Sequence, residues 1–346
     1  MLSLFHRLLV AKNGRLSLSC FATAGVAPLL TFLLAAVAYA APSVLQPITT
    51  YPSGGAAQFT AAADVNGDGK QDVFASNLNG VISVLLGNGD GSFQSPKTIA
   101  ALPAGSYPIA TADFNRDGHP DLAILEPGSA RVVIYLGKGD GSFESPRSFP
   151  AGASPRYMVV GDVDGDHNPD LIVSASAPGS VGFSILMGEG NGTFHASVII
   201  TAANGAAGGI LAVGDLNRDG HLDVVTCDLQ GNAEVFIGNG NGTFREESAF
   251  SDGTNGGGES QFLLADLYGH GKLDLVVGNF GYQGNPGMLM LFEGDGDGTF
   301  SNVTSYIVAG FLPAWVDAMD MNGVVAWIEL RSSFPIAKVV YAAMCE

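Results

Sequence analysis

A nine-residue stretch, DVNGDGKQD at residues 64–72, comes back as DFNRDGHPD at 113–121, DVDGDHNPD at 162–170 and DLNRDGHLD at 215–223. A worn copy, DLYGHGKLD, occupies 266–274. The opening aspartates are spaced 49, 49, 53 and 51 residues apart. A loop that returns at a near-fixed period marks a repeat protein, in which each unit buries its apolar surface against its neighbours rather than in a core of its own.

The loop has a chemistry of its own. Positions 1, 3, 5 and 9 carry Asp, Asn or Asp, Asp and Asp in the first four copies, and position 6 is Gly in three of them. Alternate oxygen-bearing side chains on a tightly turned backbone converge on one point, as needed by a hard cation that takes roughly six to eight oxygens, with position 7 adding a main-chain carbonyl. The candidate ligands are Asp64, Asn66, Asp68, Lys70 and Asp72 in the first loop and Asp113, Asn115, Asp117, His119 and Asp121 in the second. They are Asp162, Asp164, Asp166, Asn168 and Asp170 in the third, and Asp215, Asn217, Asp219, His221 and Asp223 in the fourth. Lys70, His119, Asn168 and His221 would act through their backbone carbonyls. All-oxygen ligation favours Ca2+ over magnesium or manganese and argues against zinc or copper, so about four Ca2+ sites are expected. The alternative is a metal-free turn, which Asp and Gly also build; four loops of one spacing favour the metal.

The pattern is not an EF-hand, because position 12 is Ala75, Ile124, Val173 and Thr226 instead of Glu. Apolar, partly β-branched runs (DVFAS, DLAIL, DLIVS, DVVTC) follow the loops and read as buried strands. Two departures stand out. His167 replaces Gly at position 6 of the third loop, where a left-handed backbone would cost about 1 kcal/mol. In the fifth loop Tyr268 and His270 occupy positions 3 and 5, so that loop is expected to fold without a metal or to bind one weakly.

Every unit runs in the same order: an apolar lead-in, the loop, a strand, a polar turn, a second strand, a Gly-rich turn ending in Phe, and a looser strand. The Gly-rich turns are GNGDGSF, GKGDGSF, GEGNGTF, GNGNGTF and GDGDGTF. They do not read as phosphate loops, because a strand rather than a helix follows each. They read as hairpins of positive-φ residues. Phe93, Phe143, Phe194, Phe244 and Phe300 are expected to pack between units. Sequons at Asn191, Asn241 and Asn302 fall on or near these turns and read as repeat chemistry. With 48 Gly and no sustained helical periodicity, the chain is all-β. Four strands per unit of about 50 residues is the content of a β-propeller blade. The expectation is a β-propeller of four-stranded antiparallel blades, about six in number, over 41–346. Its repeats lie near 56–104, 105–154, 155–206, 207–257 and 258–308, with a degenerate or truncated unit at 309–346. The segment LQPITTYPSGG (45–55) resembles the last strand of a unit and would supply the outer strand of the closing blade.

The loop pattern D-x-[DN]-x-D-G-x-x-D, followed by an apolar strand and G-x-G-x-G-x-F, resembles the FG-GAP repeat, in the bacterial form called the VCBS repeat. It is similar to the calcium loops of the integrin α-subunit propeller. The resemblance covers about 45–323 and implies the fold and the metal. It leaves function open, because this scaffold carries adhesion modules and appendages of enzymes alike.

Residues 1–40 read as a secretory signal: His6, Arg7, Lys12 and Arg15, then an apolar run from Phe21 to Ala38, then Ala38 and Ala40 before Ala41-Pro42. An uncleaved anchor is the alternative. This segment holds no Asp or Glu, so the rest of the chain is more acidic than the overall net charge of −18, which disfavours nucleic acid as a partner. Cys227 and Cys345, the cysteines outside the signal, could form one disulfide but no disulfide framework. The chain is expected to be secreted, periplasmic or cell-surface, monomeric, and not membrane-inserted once the signal is removed. No G-x-S-x-G elbow occurs, and His119, His167, His221 and His270 lie in the loops. A binding or adhesion module for an extracellular protein or glycan is therefore expected, with structural calcium. The alternative is a secreted polysaccharide lyase or hydrolase on the same scaffold. The inserts SDGTNGGGES (251–260) and NFGYQGNPG (279–287), with Phe280 and Tyr282, are the candidate contact loops.

Overall fold

The computed structural model describes residues 7–12, 15–20, 51–177, 180–202, 209–227, 232–251, 261–279, 287–308, 313–320, 326–332 and 342–343. It divides into two units, 1–50 and 51–346. In the first, Arg7–Lys12 and Arg15–Cys20 pair as an antiparallel hairpin. The apolar run from Phe21 to Ala38, the Ala38/Ala40 site, residues 45–50, Phe280, Tyr282 and Cys345 lie outside the described residues.

The second unit is a succession of antiparallel meanders. Blade 1 is Ala57–Ala63, Asp72–Asn77, Val81–Leu85 and Lys97–Ala101. Blade 2 is Ile109–Ala112, Asp121–Glu126, Arg131–Tyr135 and Arg147–Pro150. Blade 3 is Pro155–Gly161, Asp170–Ala177, Ser180–Leu186 and Val198–Thr201. Blade 4 is Leu211–Gly214, Asp223–Cys227, Asn232–Gly238 and Phe244–Ser251. Blade 5 is Gln261–Ala265, Asp274–Asn279, Gly287–Gly294 and Phe300–Val308. In each, strands hydrogen-bond in chain order. Beyond them Pro313–Asp320, Ala326–Ser332 and Ala342–Ala343 form a three-stranded antiparallel sheet. The stretch expected to be degenerate thus contributes a smaller sheet of the same kind, its first strand against blade 5.

First strands of successive blades lie side by side, which sets the blades around a common axis as a β-propeller. The second strands are buried along nearly their whole length, and the fourth strands are mostly exposed. A second strand is sandwiched between two neighbouring blades, so both of its faces must be apolar. In Asp121–Glu126, Leu122 and Ile124 enter the core shared with blade 1, whereas Ala123 and Leu125 enter the core shared with blade 3. The period of 2 therefore decides which neighbour a side chain meets rather than whether it is buried. Four clusters fill the four interfaces between blades 1 and 5.

Each turn phenylalanine packs on the element before it. Phe143 meets Phe74 of blade 1 (6.0 Å between centroids), Phe244 meets Phe183 of blade 3 (5.4 Å), and Phe300 meets Phe250 of blade 4 (5.6 Å). Phe194 meets both Phe114 and Phe149 of blade 2. At blade 1 the partner of Phe93 is Tyr51, at 5.2 Å. The Ser53 carbonyl accepts a hydrogen bond from Ser83 Oγ, as the Ala151 carbonyl does from Ser184 Oγ. Residues 51–53 thus fill at blade 1 the place that the end of blade 2's outer strand fills at blade 3.

Phe74 is fully buried at the interface of blades 1 and 2. Phe74→Ala is expected to lower the unfolding free energy by about 3–5 kcal/mol, read from the shift of the denaturant midpoint.

Candidate metal loops

The repeating loop is the hairpin between the first and second strands. Its ends are fixed by register: Ala63, Ala112, Gly161, Gly214 and Ala265 pair with Asp72, Asp121, Asp170, Asp223 and Asp274. Inside, the first carboxylate organises the turn. Asp64 Oδ1 accepts the Asp68 N–H (3.1 Å) and Oδ2 accepts the Gly69 N–H (2.8 Å). Asp113, Asp215 and Asp266 repeat this pair of bonds onto positions 5 and 6. In the third loop Asp162 accepts from Gly165 and His167. Asn66 Oδ1 accepts from Asp68 N–H, and Asp68 Oδ1 accepts from Lys70 N–H. The equivalent bonds recur in loops 2, 3 and 4.

Positions 1, 3 and 5 therefore face one another. In the third loop carboxylate oxygens of Asp162, Asp164 and Asp166 all lie within 4.8 Å of one another. Burial pushes the Asp164 carboxyl upward; the Asp166 amide opposes this, and the charges of Asp166 and Asp162 add to it. Oxygen donors gathered at the cost of mutual repulsion fit a hard divalent cation. In loops 2 and 4 the position-7 side chain lies over the Gly-rich turn: a Cβ placed on Gly139 would lie 2.3 Å from the His119 ring, and one on Gly240 would lie 2.3 Å from His221. Lys70 and Asn168 similarly cover Gly89 and Gly190. Lys70 Nζ and Asn168 Nδ2 also donate to the position-5 carboxylates of their own loops, Asp68 at 3.3 Å and Asp166 at 2.6 Å.

Position 9 has a further role that the spacing alone did not reveal. Asp72, Asp121, Asp170, Asp223 and Asp274 are all 0% exposed. One oxygen of each accepts the N–H of loop position 2, from Val65, Phe114, Val163, Leu216 and Leu267, at 2.8–3.0 Å. The other accepts the N–H of the glycine that opens the blade's Gly-rich turn: Gly87, Gly137, Gly188, Gly238 or Gly294, at 2.7–3.0 Å. A Cβ on Gly137 would stand 2.2 Å from the Pro120 carbonyl, so no side chain fits there. Position 2 also reaches outward: the carbonyls of Val65, Phe114 and Val163 accept the N–H of Gly141, Gly192 and Gly242 in the next blade's turn. Each of these loops is joined to its own turn through a buried carboxylate and to the following blade through a backbone bond.

Two residues per loop are left-handed. Position 6 includes His167 at φ 66°, as expected if it replaces glycine, and position 4 includes Arg116 at 60° and Arg218 at 64°. The requirement at position 4 was overlooked, although Gly, Arg, Gly, Arg, Gly at that position carried the signal.

The FG-GAP-like repeat model matches residues 64–124, 113–173, 172–226, 215–277 and 266–323. The chain belongs to the FG-GAP-like repeat family. A search of the curated proteins found no match. Among solved structures, this FG-GAP-like chain is similar to BBS1N, solved in complex with ARL6DN (TM-score 0.52, 13% identity, 82% of this chain and 77% of that one). It is also similar to the BP39L lectin of Burkholderia pseudomallei (TM-score 0.58, 18% identity, 82% of this chain and 81% of that one). At these identities the likeness is one of fold.

Two tests follow from the loop geometry. Burial raises the Asp121 carboxyl to about 6, against the bonds from Gly137 and Phe114, while the unfolded chain titrates near 3.9. Without metal the folded state keeps a proton that the unfolded state releases, so this group's contribution to stability falls as pH rises from about 4 to about 6. Asp121→Asn, which leaves one N–H facing an amide, should cost about 1–3 kcal/mol. In chelator, urea titrations should show that cost shrinking between pH 4.5 and pH 7; an unchanged cost would count against the buried carboxylate. The second test is His167→Gly, which relieves a left-handed side chain and should stabilise blade 3 by about 0.5–1 kcal/mol in the same assay.

Proposed function

We propose that this chain is a secreted propeller stapled by calcium, acting as a binding or adhesion module for an extracellular glycan or protein. The observation that carries the reading is an asymmetry between the two ends of the blades. In an antiparallel meander the first-to-second and third-to-fourth connections share one end, while the second-to-third and fourth-to-first connections share the other. The metal-type loops and Gly-rich turns, nearly invariant in pattern, all fall at the first end. The connections that differ from blade to blade fall at the second: NLNG, EPGSA, SAPGS and DLQGN. The long connections after Ser251 and Asn279 leave from strands that finish there. A repeated end built for stability and a variable end free to diverge is the division of labour expected of a scaffold that presents recognition loops.

Calcium fits the repeated end because the donors at positions 1, 3 and 5 are oxygens of Asp and Asn. Asp, Asn and backbone groups there are committed to the loop, which leaves little for catalysis at that end and supports binding over hydrolysis.

Differential scanning calorimetry of the full chain tests the metal. A filled site at about 100 times its Kd adds about 2.7 kcal/mol, so chelation with EGTA should lower the melting temperature by at least about 5 °C. Asp117→Ala should abolish about a quarter of that calcium-dependent gain. A melting temperature indifferent to EGTA contradicts structural calcium. A glycan array with the calcium-loaded protein tests the module. Retention of a defined glycan without product release supports binding; release of cleaved oligosaccharides contradicts it.

A further inference from the structure

The fifth loop is not merely a worn copy of the other four. Tyr268 and His270 remove the oxygen donors at positions 3 and 5, yet the turn is intact, with Asp266 accepting from the N–H groups of His270 and Gly271. The imidazole is held within the loop. Nδ1 stands 3.4 Å from Asp266 Oδ1, and Nε2 stands 3.7 Å from Asp274 Oδ1. Glu293 on the third strand brings a further carboxylate oxygen to 3.9 Å from Nε2. Asp274 is buried, and the side chains of His270 and Asp266 are about a third exposed, at 29% and 30%. One ligand atom from each of Asp266, His270 and Asp274 lies within 4.8 Å of the other two.

We propose that this loop is a binding site for a borderline divalent transition metal, zinc in the first instance, held by Asp266, His270 and Asp274. Replacing position 5 with an imidazole changes the donor set from all oxygen to one nitrogen and two carboxylates. Imidazole suits zinc, nickel and copper, while calcium selects oxygen. Three protein ligands leave positions for water or for Glu293, as in open zinc sites. A single ion takes one ring nitrogen, and one ligand atom from each of the three residues already lies within 4.8 Å of the others, a span that an ion with metal–ligand distances of about 2.0–2.2 Å would close. The negative charge of two aspartates and Glu293 around one imidazole offers an attractive field for a cation. The site also sits on the staple that Asp274 forms between Leu267 and Gly294, so the metal would lock the same two segments of blade 5 that calcium-type loops lock elsewhere. The proposal does not depend on whether loops 1–4 take calcium.

The test is isothermal titration of the full chain with Zn2+ at pH 7.5 in excess Ca2+. The wild type should take up one Zn2+ per chain with a micromolar or tighter Kd. His270→Ala should weaken that event at least tenfold while calcium-dependent stability is retained. His270→Asp, which carries the residue found at this position in loops 1–4, should fold with an unchanged far-ultraviolet circular dichroism spectrum and lose the zinc event as well. His195→Ala, at the Glu189 pair outside the loop, should leave it unchanged. No zinc uptake by the wild type, or zinc uptake by the His270 variants equal to that of the wild type, overturns the proposal.

Discussion

The buried aspartate that closes each loop is the contact on which the blades depend. Its two oxygens accept two backbone amides that are distant in sequence: one at the start of the loop and one at the glycine opening the turn between the third and fourth strands. A hydrogen bond from a backbone N–H to a carboxylate is stronger than a neutral one, and burying the carboxylate is tolerable only because both oxygens are satisfied. The residue whose N–H is bound in this way uses its carbonyl, in blades 1–3, to hold the next blade's turn. A short covalent segment thus ties together two hairpins of its own blade and one of its neighbour. The apolar interfaces supply most of the burial, but this polar link sets the register in which they meet.

Stapling and metal binding are separable on this frame. Positions 1 and 9 hold backbone amides, and they persist in all five loops, including the one that has lost its central oxygens. Positions 3 and 5 gather the donors that a cation would need, and they are free to change. That is why the fifth loop can exchange carboxylate for imidazole without losing its turn, and why His167 can stand at a left-handed position in the third. The scaffold tolerates variation at the centre of the loop and none at its closing residue.

Much of this was legible in the sequence because it is local. Loop spacing, the Gly-rich turns and the apolar runs of the second and third strands are all set by residues within a few positions of one another. The period gave the blades and the closing phenylalanines their places. What escaped was non-local. Asp72 meets Gly87, and Asp170 meets Gly188, through main-chain amides that no side-chain pattern advertises. The clue was within the chain: Asp274 survives in a loop where the central oxygen donors do not, which implies a job in addition to ligation. The left-handed Arg116 and Arg218 were likewise visible only by aligning position 4 with the glycines of loops 1, 3 and 5. The stretch after 309 read poorly as a blade because it lacks the loop and the turn, yet strands need neither to pair.

Amide hydrogen exchange in chelator tests the central claim most directly. The staple predicts that the N–H groups of Gly87, Gly137, Gly188, Gly238 and Gly294 exchange only with opening of their blades and stay protected without metal, while Gly69, Gly118 and Gly220 in the loops lose protection. Turn-opening amides that exchange as fast as the loop amides once metal is removed would show that the cation, and not the buried aspartate, holds the blades.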